Sequence, residues 1–142
     1  MKNSNVLKLS VLLFVVLMMV MTSCSKHVAF QISPVAPAAR GNVSMKIGKN
    51  ENYHIKIDIS NLAEVDRMHT PNKTYVIWLQ TPADDYKNIG QLESSSNMVS
   101  SKLHASFETF TAFRPTKIFI TAEESGSVYT PGSNLILTTN RF

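Results

Sequence analysis

Apolar and polar residues alternate with a period of two through most of this chain. In residues 43–47, Val43, Met45 and Ile47 are separated by Ser44 and Lys46. In residues 53–59, Tyr53, Ile55, Ile57 and Ile59 are separated by His54, Lys56 and Asp58. That period places the apolar side chains on one side of a pleated strand. The two runs flank the polar stretch Lys49-Asn50-Glu51-Asn52, which predicts a β-hairpin with one buried face. Residues 74–80 (TYVIWLQ) are nearly all apolar and rich in aromatic and β-branched residues, so they predict a central strand covered on both sides. Further strands are predicted at 89–93 (IGQLE), at 102–108 (KLHASFE, with Leu103, Ala105 and Phe107 on one face), at 117–123 (KIFITAE) and at 135–139 (LILTT). Residues 61–73, carrying Leu62, Val65, Met68 and Pro71, suit a crossover between two sheets. Residues 81–88 and 124–134 read as loops, 94–97 as a turn, and 109–115 (TFTAFRP) as an aromatic connection. Seven to eight strands at regular spacing, with no helical pattern after residue 24, predict an all-β fold: an antiparallel Ig-like β-sandwich.

The first residues follow a different pattern. Lys2 and Lys8 are positive, and residues 9–21 are apolar apart from Ser10. Such a run has the length of a signal-peptide core, roughly 7–15 residues, and falls short of the roughly 20 that span a bilayer. The only cysteine follows directly, in Met21-Thr22-Ser23-Cys24. This tetrad resembles the lipobox of bacterial lipoprotein signals. The resemblance implies that residues 1–23 are a signal peptide, that the chain is cut before Cys24, and that the Cys24 thiol carries diacylglycerol. Stable anchoring takes more than one acyl chain, and a diacylated cysteine meets that condition. Residues 24–40 then read as a lipidated N-terminus and tether. Pro34 and Pro37 disfavour helix and interior strand, and one edge strand is expected near residues 27–32. The sandwich is assigned to residues 41–142. The expected location is the bacterial cell envelope, facing the periplasm or the cell exterior, with the outer membrane favoured.

Composition narrows the picture further. Cleavage before Cys24 removes 23 of 142 residues and leaves one domain in size. Such a domain buries roughly two-thirds of its unfolded surface and does not need staples. With its single cysteine at the anchor, no intrachain disulfide is available. The net charge of +4 falls to about +2 without Lys2 and Lys8, and the basic residues are scattered. No nucleic-acid partner is implied.

Within the strands, Tyr75-Val76-Ile77-Trp78-Leu79 is followed by Ile89-Gly90-Gln91-Leu92. Then come Ile120-Thr121-Ala122-Glu123, Ser125-Gly126-Ser127, Thr130-Pro131-Gly132 and Leu135-Ile136-Leu137. In order and spacing, residues 75–139 resemble the C-terminal extracytoplasmic domain of anti-sigma-K factors (the RskA family). The resemblance implies a β-sandwich fold. It does not carry over the anti-sigma activity, because no sigma-binding segment and no transmembrane helix accompany the domain. By their own chemistry, Trp78 is expected in the core under the second sheet. Gly90 and Gly132 suit positive φ or close packing, and Glu123 is placed to accept backbone N–H groups from the following turn.

Catalytic and metal chemistry find little support. His27, His54, His69 and His104 lack ligand spacing, and a cross-strand pair of His54 and His104 is the remaining weak metal candidate. Asp84-Asp85 is a thin calcium candidate. Glu123-Glu124, as strand neighbours, point to opposite sides and form no acid/base pair. No nucleophile elbow or phosphate loop is present. No cofactor, metal or small-molecule substrate is implied, and no enzyme activity is expected. The remaining candidate partner contacts are Phe110, Phe113 and Arg114. The phenylalanines either fold inward to close one end of the sandwich or form an exposed aromatic patch beside the arginine, the chemistry that binding hot spots favour. The sequence therefore predicts a lipid-anchored module that binds another envelope protein. The alternatives are a passive structural lipoprotein and a carrier of a small ligand or metal.

Overall fold

The structure, a computed structural model, describes residues 8, 25–63, 73–92 and 104–142. Residues 9–24, where the signal-peptide core and the anchor Cys24 are expected, the crossover residues Val65, Met68, His69 and Pro71, the expected 94–97 turn and Leu103 lie outside the described residues. No helix among the described residues is long and apolar enough to cross a membrane.

Eight strands form two four-stranded antiparallel sheets. The first sheet holds β1 (Ser25–Ala29), β2 (Arg40–Ile47), β3 (Tyr53–Ser60) and β6 (His104–Thr111), side by side in that order. The second orders its strands β5 (Tyr86–Leu92), β4 (Thr74–Gln80), β7 (Lys117–Glu123) and β8 (Leu135–Thr138). Within this sandwich the strand order differs from that of immunoglobulin constant domains, where the fifth strand lies beside the second. Here β3 keeps that place, because the short 48–52 turn returns the chain directly onto β2.

The alternating runs face each other as the pattern requires. Val43 pairs with Ile57 and Met45 with Ile55, and all four side chains are buried against the second sheet. Each such aliphatic burial contributes about 1.5–3 kcal/mol. Opposite them, Tyr75, Ile77 and Leu79 of β4 and Ile118 and Ile120 of β7 complete the core between the sheets. Close approach of the sheets is needed at Gly90. Its φ of 144° is open to glycine, and a Cβ there would meet the Phe107 ring at 2.5 Å.

Residues 25–40 are attached to the sandwich. Ser25–Ala29 pairs along β2 as the expected edge strand. The chain then passes to the other sheet, where Phe30 bridges to Thr139 and the Gln31 N–H donates to the Thr138 carbonyl. Phe30 and Ala39 are buried in the core. The first sheet therefore already includes Ser25, and the proline-containing residues 31–39 form a mostly exposed loop held down at Ser33 and Ala39 in place of a free tether. Two other boundaries move. Tyr86, Lys87 and Asn88 belong to β5, and Thr109 to Thr111 belong to β6.

Candidate functional site

Two regions carry exposed or convergent chemistry: the end of β6 with the turn after it, and the outer face of the second sheet. The first contains the sequence-predicted contacts. β6 turns Ala105, Phe107, Thr109 and Thr111 toward the core side and presents His104, Ser106, Glu108 and Phe110 outward. Phe110 is 70% exposed, and its ring stacks on the His54 imidazole of β3 with centroids 4.4 Å apart and planes at 11°. His54 Nε2 also bonds the Glu108 carboxylate. These three side chains adjoin one another on the outward face of two paired strands. Phe113 lies in the turn beyond β6. It is 49% exposed and receives the Lys87 ammonium of β5 over its ring at 5.2 Å. Arg114 is exposed beside it, and Pro115 is buried.

The phenylalanines therefore do not close the sandwich end. Phe110 is in a strand, where alternation turns it outward, and Phe113 is held by the other sheet. Among the described residues no ring contact joins Phe110 to Phe113. The structure divides the three candidates between a face, Phe110, and an end, Phe113 and Arg114.

Trp78 is also placed differently from the expectation. It is fully buried, yet it points away from the core between the sheets. Val76, Trp78 and Phe119 form a second small core on the outer face of the second sheet, packed under Val128 of the 124–134 loop. A loop can cover this face because polar side chains fasten it. The indole Nε1–H donates to Thr121 Oγ1 at 2.7 Å, Thr121 donates to Glu123 Oε1 at 2.5 Å, and the Gly132 N–H donates to the same oxygen at 2.7 Å. Glu123 thus holds the turn as its position suggested, and Glu124, beyond the end of β7, is exposed. From β5, Asn88 Nδ2 donates to the Gly126 and Val128 carbonyls at 2.9 Å each, and its Oδ1 accepts from the Gly90 N–H. Sequence reasoning passed over Asn88 and Thr121. Their only local signal is a polar residue inside an apolar strand.

Beside this lock lies a shallow cleft of about 210 Å³, lined by Tyr86, Phe119, Leu135, Lys117, Thr121 and Gly132 among others. Tyr86 meets Phe119 edge-on at 5.5 Å. Glu123 and Thr121 are satisfied internally, so the polar network acts as a clasp and presents no unpartnered group to the cleft.

The metal candidates are separated by the fold. His54 pairs with Phe110 and His104 with Ser60, so the histidines sit at opposite ends of the β3–β6 ladder and form no cross-strand site. Asp84, at φ 63°, accepts from Gln80 Nε2 and from Arg141 Nη2 at 2.8 Å. No group of three potential metal ligands occurs among the described residues. No protein-family model, curated protein or solved structure matches this chain.

Proposed function

We propose that this chain is a lipid-anchored envelope lipoprotein whose β-sandwich acts by binding another envelope protein, without turnover. The contact is centred on the Phe110, His54 and Glu108 face of the first sheet. The observation that carries the reading is the exposure of Phe110: a large aromatic ring, 70% open to solvent, is fixed on two paired strands. A pre-ordered aromatic loses little entropy on contact, and burying it in a partner's pocket supplies the central anchor of a hot spot. The anchor assignment comes from Cys24 following the apolar segment, and the resemblance to anti-sigma-K extracytoplasmic domains supports a sensing or binding role.

A photo-crosslinking side chain in place of Ser106 or Ser44, beside the face, tests the reading in intact cells. The expected result is a discrete envelope-protein adduct that disappears on adding Phe110→Ser. An adduct unchanged by that substitution, or adducts spread evenly over many proteins, refutes it. A second reading, a small-ligand carrier, is favoured by the aromatic-lined cleft at Tyr86 and Phe119. It requires a saturable rise in melting temperature with a ligand that a Tyr86→Ala change abolishes.

A further inference from the structure

We infer that the end of the sandwich bearing Ser25 and the 48–52 turn lies against an anionic lipid surface, so that the domain stands on the membrane in one fixed orientation. The inference rests on the proposed acylation of Cys24. Ser25 is already a residue of β1, paired with Lys46 of β2. Consecutive Cα atoms are about 3.8 Å apart, so the acylated residue is one peptide unit from the folded sheet. No free tether separates lipid from domain, and the end that carries Ser25 must stay close to the bilayer.

The chemistry of that end suits such a position. Lys26, Lys46 and Lys49 are exposed around the point of attachment, and Ile47 among them is 68% exposed. Across the sandwich the same end is continued by contacts that tie the sheets together. Lys26 lies over the Phe142 ring at 5.0 Å, the Phe142 N–H donates to the Thr116 carbonyl, and the Thr116 N–H donates to the Gln80 carbonyl. This brings Lys87, Arg114 and Lys117 to the same end, with exposed Phe113 beside them. The side-chain carboxylates at the tip of this end, among the described residues, are Glu51, Asp84 and Asp85, and Asp84 is already paired with Arg141. The domain's modest positive charge is thus concentrated at one end. Basic side chains are drawn to anionic headgroups, and aromatic rings settle at the headgroup level.

The orientation has a consequence for binding. Phe110 lies on a side face one residue from the end of β6, so it would stand just above the headgroups. A protein that reaches it must itself be held at the membrane.

The test uses the acylated full chain, purified from membranes and placed in vesicles. Its native thiol is blocked by lipid, so one introduced cysteine can be labelled uniquely. A fluorophore is put at Asn50→Cys in the 48–52 turn, or at Ser133→Cys before β8 at the other end. An eight-residue strand such as β2 spans roughly 26 Å, which separates the two labels well. In vesicles containing phosphatidylglycerol and a headgroup nitroxide lipid, the Asn50 label should lose most of its emission and the Ser133 label should keep it. Reversing Lys46 and Lys49 to Glu, or raising salt, should shrink the difference, because an exposed charge is screened within about 10 Å at 0.1 M. Equal quenching of both labels, with the diacylglyceryl mass present on Cys24, overturns the inference alone. An unmodified Cys24 in the mass spectrum overturns the anchor reading, and the inference falls with it.

Discussion

Trp78 and Thr121 meet diagonally across β4 and β7, the indole Nε1–H donating to the threonine hydroxyl at 2.7 Å on the outer face of the second sheet. Both residues are buried, so neither group has water as an alternative partner. The hydroxyl proton continues to Glu123, which holds the Gly132 N–H. A loop rich in serine, threonine and glycine is thereby made into a lid over Val76, Trp78 and Phe119.

Trp78→Ala is expected to destabilise the domain by about 3–5 kcal/mol, the range for emptying a buried large aromatic site. Thr121→Val keeps the shape and removes the polar link, stranding the indole N–H and one Glu123 contact. Its expected cost is about 1–3 kcal/mol. Urea unfolding followed by circular dichroism measures both. A loss under about 1 kcal/mol for Trp78→Ala would show that the lid does not seal this face.

Gly90→Ala tests the spacing of the sheets. The new methyl group meets the Phe107 ring and demands a φ that L residues rarely adopt. Overpacking of this kind costs about 1–3 kcal/mol. Phe107→Ala in the same chain should recover part of the loss, since it removes the clash but leaves the backbone strain. If Gly90→Ala melts with the parent, the close approach of β5 and β6 is not maintained in solution.

These two sites mark where the sequence was readable and where it was not. Alternation located β2 and β3 because one of their faces is wet, and the continuous apolar run of β4 announced a strand covered twice. It could not say that the second cover is a loop. The loop contributes Val128 alone to the apolar contact, and its attachments run through Asn88, Thr121 and Glu123, which are distant or polar in sequence. The end of β6 was misread for a related reason. There the usual polarity is inverted, with Thr109 and Thr111 facing in and Phe110 facing out, so a strand resembled a connection. The attachment of residues 25–40 to the sandwich, through β1 and the buried Phe30, Ser33 and Ala39, was hidden by Pro34 and Pro37, which exclude regular structure but do not exclude packing.

Tyr75 gives a pH dependence with a definite sign. Its ring is in the core and its hydroxyl donates to the Ala63 carbonyl at 2.8 Å. Burial pushes the phenol from 10.0 up to about 12. The neutral form is favoured in the folded state, so its contribution is complete below pH 10 and is lost as pH rises through about 12. Urea midpoints between pH 9 and 12, set against a Tyr75→Phe variant, should show a steeper alkaline loss in the parent. Parallel curves would mean that the phenol ionises without unfolding the core.

Replacement of the one cysteine separates anchor from fold. Cys24→Ala precedes the first strand and should leave the sandwich's melting unchanged, while detergent-phase partitioning of the mature chain is lost. A variant that still partitions with membranes as the parent does would refute acylation at Cys24.

Phe110→Ser isolates the proposed contact face. The side chain is exposed, and its only described ring contact is the stack on His54, so folding should lose no more than about 0.5–1.5 kcal/mol. His54 remains bonded to Glu108 and β3–β6 pairing is backbone-borne, so the patch should keep its geometry without its aromatic anchor. Removing such an anchor typically weakens a protein interface by about 2 kcal/mol or more, a change of roughly 30-fold in affinity. Phe113→Ser, at the end of the sandwich, should leave partner crosslinking largely intact while reducing contact with anionic vesicles. If the two substitutions reduce crosslinking equally, the face and the end are one surface, and the partner covers both. If Phe110→Ser leaves the adduct untouched, the binding reading loses its central residue, and the exposed ring must be explained by lipid contact alone.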